Sequence, residues 1–201
     1  PNWADDLDMD MVPACLGDKN KVHFTFAGNV GKVQNLQNII QSYLSLAPKY
    51  HSKSQLNIIG DGSAMEELTK IVDKNDSIVF HGRKPRNEMS KYYKASDFLI
   101  VSLVDKPIFS VTVPAKTQTY ISAKKPILAI INGDTAQIIN DNNLGYTAHP
   151  NDIEKIGKVF MAAIDSSKEE VEQFTQNCEK LTSTIFNKTN IINSLENVMV
   201  N

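Results

Sequence analysis

The chain has 201 residues, of which 41% are hydrophobic and 22% are charged, and its formal net charge is −2. These values are typical of a globular protein and give no overall attraction for a polyanion, so we expect no nucleic-acid partner. The longest apolar runs, such as 127–131, are too short to cross a bilayer, and the acidic start of the chain has no signal-peptide pattern.

Predicted strands and helices alternate along the chain. The strands are short and mostly apolar, and they lie at 22–27, 56–59, 77–80, 98–102, 126–131 and 145–148. The helices lie at 33–47, 63–73, 87–95, 114–123 and 134–140, with three more near 151–165, 168–186 and 189–199. Such a pattern indicates a parallel sheet covered on both faces. The predicted fold is a doubly wound, Rossmann-like α/β domain with three α/β/α layers, whose ligand lies beyond the C-terminal strand ends.

The stretch 56–68 has the form of a phosphate-binding turn, because an apolar run ends in the Gly-Asp-Gly corner 60–62 and a helix-forming segment follows. However, Ser63 and Glu66 have the spacing of a capping box, in which two side chains satisfy the first free N–H groups of a helix. Asp61 and Glu66 would also repel a phosphate. We therefore interpret this stretch as a structural corner.

The turn 28–32, after the first predicted strand, is a better candidate for binding a phosphate. Gly28 and Gly31 let the backbone come close to a ligand, and Asn29 tolerates a positive φ. Lys32 carries a positive charge where the predicted helix begins, so N–H groups, helix dipole and lysine would all attract an anion. The alternative is an ordinary turn with a solvated lysine.

The start of the helix predicted at 114–123 is a second candidate. Pro114 suits the first helical position, which makes Val113 the N-cap, and valine has no side-chain acceptor for the free N–H groups. Lys116 stands in the same turn, where its charge opposes the helix dipole, and an anion would relieve both problems. Alternatively, Thr112 could cap the helix and Lys116 could simply be solvated.

A third loop, 81–84, directly follows the third predicted strand. Gly82 permits a close backbone approach. His81 could stack on a base or be an ordinary surface residue, and Arg83 could pair with a phosphate or only with solvent. Because all three loops would lie at one edge of the sheet, together they indicate a site for a phosphorylated ligand.

The two cysteines give no sign of a metal site. Cys15 and Cys178 are far apart in sequence and lack metal-ligand spacing. We expect reduced thiols in a cytoplasmic protein, with a disulfide as the alternative.

Several motifs in order resemble the C-terminal domain of family 4 glycosyltransferases of the GT-B fold. They are "FAGNVGK", "LNIIGDG", "IVFHGRKPRNEM", "YYKASDFLIVSL" and "VPAKTQTYISAKKPILAIINGDTAQII". The chain is most similar to bacterial enzymes that build capsule, O-antigen and exopolysaccharide chains. "PNWADD" resembles the segment that joins the two domains of these enzymes. The expected organisation is a connector at 1–20, a nucleotide-sugar-binding domain at 21–187 and a C-terminal helix at 188–201.

This resemblance implies a nucleotide-sugar donor without a metal or separate cofactor, and an N-terminal acceptor domain outside this chain. It implies a diphosphate site made by residues that follow the first strand or begin a later helix, namely Gly28, Asn29, Gly31, Lys32 and Lys116. It places the base near His81, Gly82 and Arg83. It places the ribose or the sugar near Pro114, Ala115 and Thr119.

The chain departs from the family pattern at three of its positions. Asn29 stands where an arginine is usual. Two glutamates separated by seven residues fall at Val111 and Thr119, and neither residue is acidic. Since the second glutamate usually holds the ribose hydroxyls, another residue must do so here, or donor binding is weakened.

The function implied is that of the donor-binding half of a retaining glycosyltransferase. The whole enzyme would move a hexosyl or N-acetylhexosaminyl group, expected from a UDP-linked donor, to a saccharide or lipid-linked acceptor in surface polysaccharide synthesis. It would be cytoplasmic and could associate peripherally with the inner face of the membrane. Its acceptor-side catalytic residues are unknown. The alternatives are a non-catalytic nucleotide-sensing or partner-binding domain, which the missing acids favour, and a sugar-nucleotide epimerase of related architecture.

Overall fold

The computed structural model describes residues 7–184, so the helix predicted at 188–201 lies outside the described residues. One sheet contains the strands β1 Val22–Ala27, β2 Ser54–Ile59, β3 Ile78–Gly82, β4 Phe98–Ser102, β5 Ile127–Ile130 and β6 Gly145–Ala148. Their order is β3-β2-β1-β4-β5-β6, and every neighbouring pair is parallel. The prediction of a doubly wound parallel sheet is therefore confirmed.

Helices cover this sheet on both faces. Those of the described region are α1 Leu36–Leu44, α2 Pro48–His51, α3 Met65–Val72, α4 Met89–Ala95, α5 Pro107–Ser110, α6 Ala115–Ser122, α7 Asp134–Asp141, α8 Ile153–Asp165 and α9 Lys168–Thr184. The short helix α5 lies in a segment predicted as a loop. Within residues 7–184, no helix has the length and apolar character needed to span a membrane.

Apolar side chains fill both faces of the sheet, because successive strand residues point to opposite sides. In β4, for example, Phe98 belongs to one core cluster and Leu99 to the other. The first cluster includes residues of α1, α3 and α8, and the second includes residues of α6, α7 and α9. Cys178 is buried in the second cluster, Cys15 is exposed, and both are free thiols. This is the predicted three-layer arrangement.

The helix predicted at 33–47 is interrupted in the structure. A 3₁₀ turn occupies Lys32–Gln34, Asn35 adopts a left-handed φ of 53°, and α1 begins only at Leu36. The buried Asn35 side chain donates a hydrogen bond to the carbonyl oxygen of Pro150 at 2.8 Å, which holds this break in place. The first turn is therefore longer than predicted, and Lys32 is not at the start of α1.

The direction of winding reverses at β1, whose neighbours in the sheet are β2 and β4. β1 and β2 pair residue by residue up to Ala27 and Ile59, so both strands end at the same level. The next residues, Gly28 and Gly60, have φ values of 141° and 136°. Open α/β sheets bind their ligands at such a switch point, so these two turns define where a site is expected.

We predict that Gly60→Ala lowers the free energy of unfolding by about 3 kcal/mol or more. An added Cβ at Gly60 would lie 1.8 Å from the carbonyl oxygen of Gly28, at a φ that side chains rarely adopt. Gly82→Ala is the matched control: its φ is 64°, but no atom lies within 4 Å of the added Cβ. Gly82→Ala should lower the free energy of unfolding by about 1 kcal/mol. Urea unfolding measures the stability of both variants. Equal losses of stability would contradict the close approach of the two turns.

Candidate functional site

A cavity of about 580 Å³ opens at the C-terminal ends of β1 and β2. The two glycine turns form one wall, and a basic loop with the start of α4 forms the other. The lining residues of this first cavity are Ala27, Gly28, Asn29, Ile59, Gly60, Asp61, Gly62, Arg83, Lys84, Arg86, Met89 and Tyr93. The structure thus brings together Gly28, Asn29 and Arg83 from the predicted site.

Lys116 reaches the end of β1 from the first turn of α6. Its Nζ is buried, has no hydrogen-bond partner among the described residues, and lies 3.9 Å from the centroid of the Phe26 ring. A Cβ on Gly28 would lie 2.5 Å from this Nζ, so the lysine occupies space that only a glycine leaves open. The structure therefore places a buried ammonium against Gly28, which lines the first cavity, although Lys116 itself is not one of the lining residues.

Burial lowers the pKa of Lys116 from 10.5 to about 8, because water no longer solvates the charged form. The Phe26 ring offsets part of this effect through a cation–π contact. A phosphate oxygen beside the ammonium would supply the missing hydrogen bond and would favour the charged form. The arrangement is therefore suited to an anionic ligand, since a neutral ligand would leave the buried charge uncompensated.

The start of α6 differs in detail from the prediction. The helix begins at Ala115, and Pro114 rather than Val113 is the N-cap, with no side-chain capping hydrogen bond. Thr112 does not cap the helix either, because its hydroxyl donates to the carbonyl oxygen of Ile108 at 2.6 Å. The positive end of the α6 dipole therefore has no local side-chain acceptor, as the sequence analysis expected.

Lys32 is not brought together with Lys116. It is exposed and, with Gly31, lines a separate hollow beside α1 and α3. The physical reason is the break at Asn35, which places a 3₁₀ turn between the end of β1 and the start of α1. The geometry therefore does not support the prediction that Gly31 and Lys32 share a diphosphate with Lys116.

The prediction of a capping box at Ser63 and Glu66 is wrong. The N-cap of α3 is Ala64, without a side-chain capping bond, and Glu66 pairs instead with Lys70 at 2.6 Å. The N–H of Ala64 donates to the carbonyl oxygen of Val30 at 3.0 Å, so a backbone group of the neighbouring turn holds the start of α3.

The corner 60–62 combines a structural role with a place in the site. Val30 donates its N–H to the carbonyl oxygen of Asp61 at 2.9 Å, which ties the two glycine turns together. A Cβ on Gly62 would lie 2.5 Å from the carbonyl oxygen of Val30, so this contact also requires glycine. The corner nevertheless lines the first cavity. This position was not predicted, because phosphate binding was the one binding role considered for the corner.

His81 is held away from the first cavity and is not one of its lining residues. Its Nε2 lies 2.9 Å from Oδ1 of Asn57, which also accepts from Gln55, so His81 is the donor in this contact. Burial lowers the pKa of His81, and the charges of Lys84 and His23 lower it further. The imidazole therefore braces β3 against β2, and its surroundings favour the neutral form.

The loop after β3 presents its backbone and cations rather than His81. Gly82 has a φ of 64° with open space where a Cβ would be, and Arg83 and Lys84 line the first cavity. Arg86 and Tyr93 also line it, although neither was predicted to be a site residue. The feature that could have identified them is their position in the 3₁₀ turn and α4, which directly follow this loop at the same edge of the sheet.

Thr119 lies in a second cavity of about 590 Å³. The lining residues of this second cavity are Leu7, Asp8, Met11, Arg86, Asn87, Met89, Ser90, Tyr93 and Thr119. It shares Arg86, Met89 and Tyr93 with the first cavity, so the two adjoin. Val111, the other position of the missing acidic pair, is 71% exposed and lines neither cavity.

Comparison with solved structures identifies the fold. The C-terminal domain of a glycosyl transferase group 1 family protein (LpcC) from Francisella tularensis has a TM-score of 0.67 and 20% identity, covering 89% of this chain and 97% of that one. Anabaena Alr3699/HepE, crystallised with UDP and glucose, has a TM-score of 0.72 and 12% identity, covering 90% of this chain and 48% of that one. The fold is that of the C-terminal half of a GT-B glycosyltransferase.

Sequence comparison gives the family. The chain belongs to the family described as Glycosyl transferases group 1, whose profile matches residues 16–181. The "Probable glycosyltransferase WbjE" of Pseudomonas aeruginosa is 32% identical over 162 residues, which are 75% of this chain and 40% of that protein. The resemblance found from the motifs is confirmed, and the chain spans less than half the length of this curated relative.

We predict that Lys116→Met raises the free energy of unfolding at pH 7 by on the order of 1–3 kcal/mol, because it removes an uncompensated buried charge. Between pH 8 and 10.5 the unfolded chain holds a proton on Lys116 that the native state has released, so wild-type stability rises with pH. The advantage of the variant should therefore shrink across this range.

The matched control is Lys32→Met, which removes an exposed lysine from the neighbouring turn. Its stability should stay within about 0.5 kcal/mol of wild type at every pH. Denaturant unfolding at pH 7, 8, 9 and 10.5 measures all three proteins. A Lys116→Met protein that is less stable than wild type at pH 7, or whose advantage is independent of pH, would contradict the assignment of a buried cation.

Proposed function

We propose that this domain binds the nucleoside diphosphate part of a sugar donor, of the UDP type, at the first cavity. The observation that carries this proposal is the buried Nζ of Lys116, which has no hydrogen-bond partner among the described residues. It lies against Gly28 at the C-terminal end of β1, the place where open α/β sheets bind ligands.

The first cavity supplies the other groups that a diphosphate requires. Arg83 and Lys84 bring positive charge to the first cavity, which Gly28 and Gly60 also line. The long, flexible stem of Lys116 allows its ammonium to turn from the Phe26 ring toward a phosphate oxygen. The diphosphate would therefore lie over Gly28, between Lys116 and the basic loop.

The same groups would assist transfer of the sugar. When the bond from the sugar to the diphosphate breaks, the leaving diphosphate gains negative charge. The uncapped start of α6 and the ammonium of Lys116, once it has turned toward the diphosphate, would stabilise that charge in the transition state. We assign the described residues to donor binding and leaving-group stabilisation, and we assign no general base.

The whole protein would transfer a hexosyl or N-acetylhexosaminyl group to a saccharide or lipid-linked acceptor in surface polysaccharide synthesis. Membership of the glycosyltransferase family supports the transfer, and the order of the motifs supports the bacterial polysaccharide role. The Anabaena structure with UDP and glucose, which shares this fold, supports a uridine donor. The acceptor would be bound by a part of the protein outside this chain.

One observation favours a second function, that of a nucleotide-sensing domain without catalysis. Neither position of the missing acidic pair offers a strong acceptor, because Val111 is exposed and the Thr119 hydroxyl donates to the carbonyl oxygen of Ala115 at 3.1 Å. Sugar transfer from a UDP-sugar by the full-length protein would exclude this function. UDP binding without any transfer would support it.

We predict that Lys116→Met weakens UDP binding at pH 7 at least about tenfold, the effect of losing a charge-assisted hydrogen bond. Lys32→Met should change the affinity less than about twofold, because Lys32 lines a separate hollow. Isothermal titration calorimetry of UDP with the three proteins measures this. Absence of UDP binding by wild type, or an equal loss in both variants, would overturn the proposed site.

A further inference from the structure

The second cavity contains a carboxylate that the proposed donor site does not use. Among the described residues that line this cavity, Asp8 is the one acid, and it faces the same space as Thr119 and Arg86. The second cavity adjoins the first through shared residues, so a ligand held by its diphosphate in the first cavity can extend into it.

Asp8 is held in place by its neighbours in the chain. Leu7 and Met9, on either side of it, pack against the core cluster that contains Tyr93 and Tyr120. The Asp8 carboxylate also accepts a hydrogen bond from the N–H of Asp10 at 3.1 Å. The backbone on both sides is thus anchored, while the side chain of Asp8 is exposed to the second cavity.

The same segment is attached to the domain further along. The N–H of Ala14 donates to the carbonyl oxygen of Lys91 at 3.0 Å, and Leu16 is buried. The carboxylate of Asp8 is therefore presented to the cavity from a segment fixed at several points.

The chemistry of the second cavity suits a sugar ring. A carboxylate has two oxygens and accepts two hydrogen bonds from neighbouring hydroxyl groups. The Thr119 hydroxyl already donates within α6, and Arg86 offers donors only. Asn87 and Ser90 also line the cavity, but their neutral oxygens accept more weakly than a carboxylate. Met11 and Met89 add apolar surface on which the carbon face of a ring can lie.

We propose that Asp8 accepts hydrogen bonds from two neighbouring hydroxyl groups of the bound nucleotide sugar and is a determinant of donor specificity. This inference rests on the proposed function, because it takes the diphosphate to lie in the first cavity. The hydroxyl pair belongs to the ribose or to the transferred sugar, and the two sources give different results in binding experiments. Asp8 would supply the carboxylate that the family pattern places at Thr119 and that this chain lacks there.

The test compares Asp8→Asn with wild type and with the control Asp10→Asn. Asparagine keeps the shape of the side chain and the acceptor for the Asp10 N–H, while the change removes the charge and replaces one acceptor oxygen with an NH₂ donor. Asp10 is an exposed neighbouring acid that does not line either cavity. Calorimetry with UDP, 2′-deoxy-UDP and UDP-glucose measures the affinities, and thermal unfolding checks that the variants are folded.

If the ribose is the partner, Asp8→Asn should lower the affinity for UDP about tenfold and the affinity for 2′-deoxy-UDP less than about twofold. If the transferred sugar is the partner, Asp8→Asn should lower the affinity for UDP-glucose about tenfold and leave the affinities for UDP and 2′-deoxy-UDP unchanged. Asp10→Asn should leave all three affinities as in wild type.

Other results would overturn the assignment. Equal changes for all three ligands, in either direction, would show that Asp8 acts only through its charge on the diphosphate. No change with any ligand would remove Asp8 from the site while leaving the proposed function intact. Failure of wild type to bind UDP is a different result, because it would remove the proposed function itself.

Discussion

The site depends on a single interaction, the burial of the Lys116 ammonium against Gly28 and the Phe26 ring. This placement is unfavourable in the free protein, since no described group neutralises or hydrogen-bonds the charge. A fold keeps such a group only where something compensates it, and a diphosphate supplies both charge and acceptors. In the proposed site, the unfavourable burial of this charge and the affinity for an anion would therefore have one cause.

The rest of the fold positions this lysine. The order of the strands puts β1 at the point where the winding reverses, and its pairing with β2 brings Gly28 and Gly60 to one level. Because neither residue has a Cβ, the two turns approach each other closely and leave room for Lys116. The apolar cores on both faces hold β1 and α6 in fixed positions. The second cavity adjoins the first and would continue the proposed site away from the diphosphate.

Much of this arrangement was predictable from the sequence, because it depends on local patterns. Apolar runs gave the strands, and a lysine in an uncapped first turn marked Lys116 as unusual. Failures arose where distant groups intervene. Pro150 holds Asn35 in the conformation that separates Lys32 from the site, and Val30 accepts from the N–H of Ala64, which is the N-cap in place of the predicted Ser63. Both partners are backbone carbonyls, which leave no signature in the sequence.

The most direct test is to follow the side-chain ammonium of Lys116 by ¹⁵N NMR during a pH titration, with and without UDP. The Lys116→Met protein identifies its signal. The account predicts a pKa of about 8 in the free protein and a clear rise when UDP is bound, because the diphosphate favours the charged form. A pKa near 10.5 in the free protein that UDP leaves unchanged would contradict it.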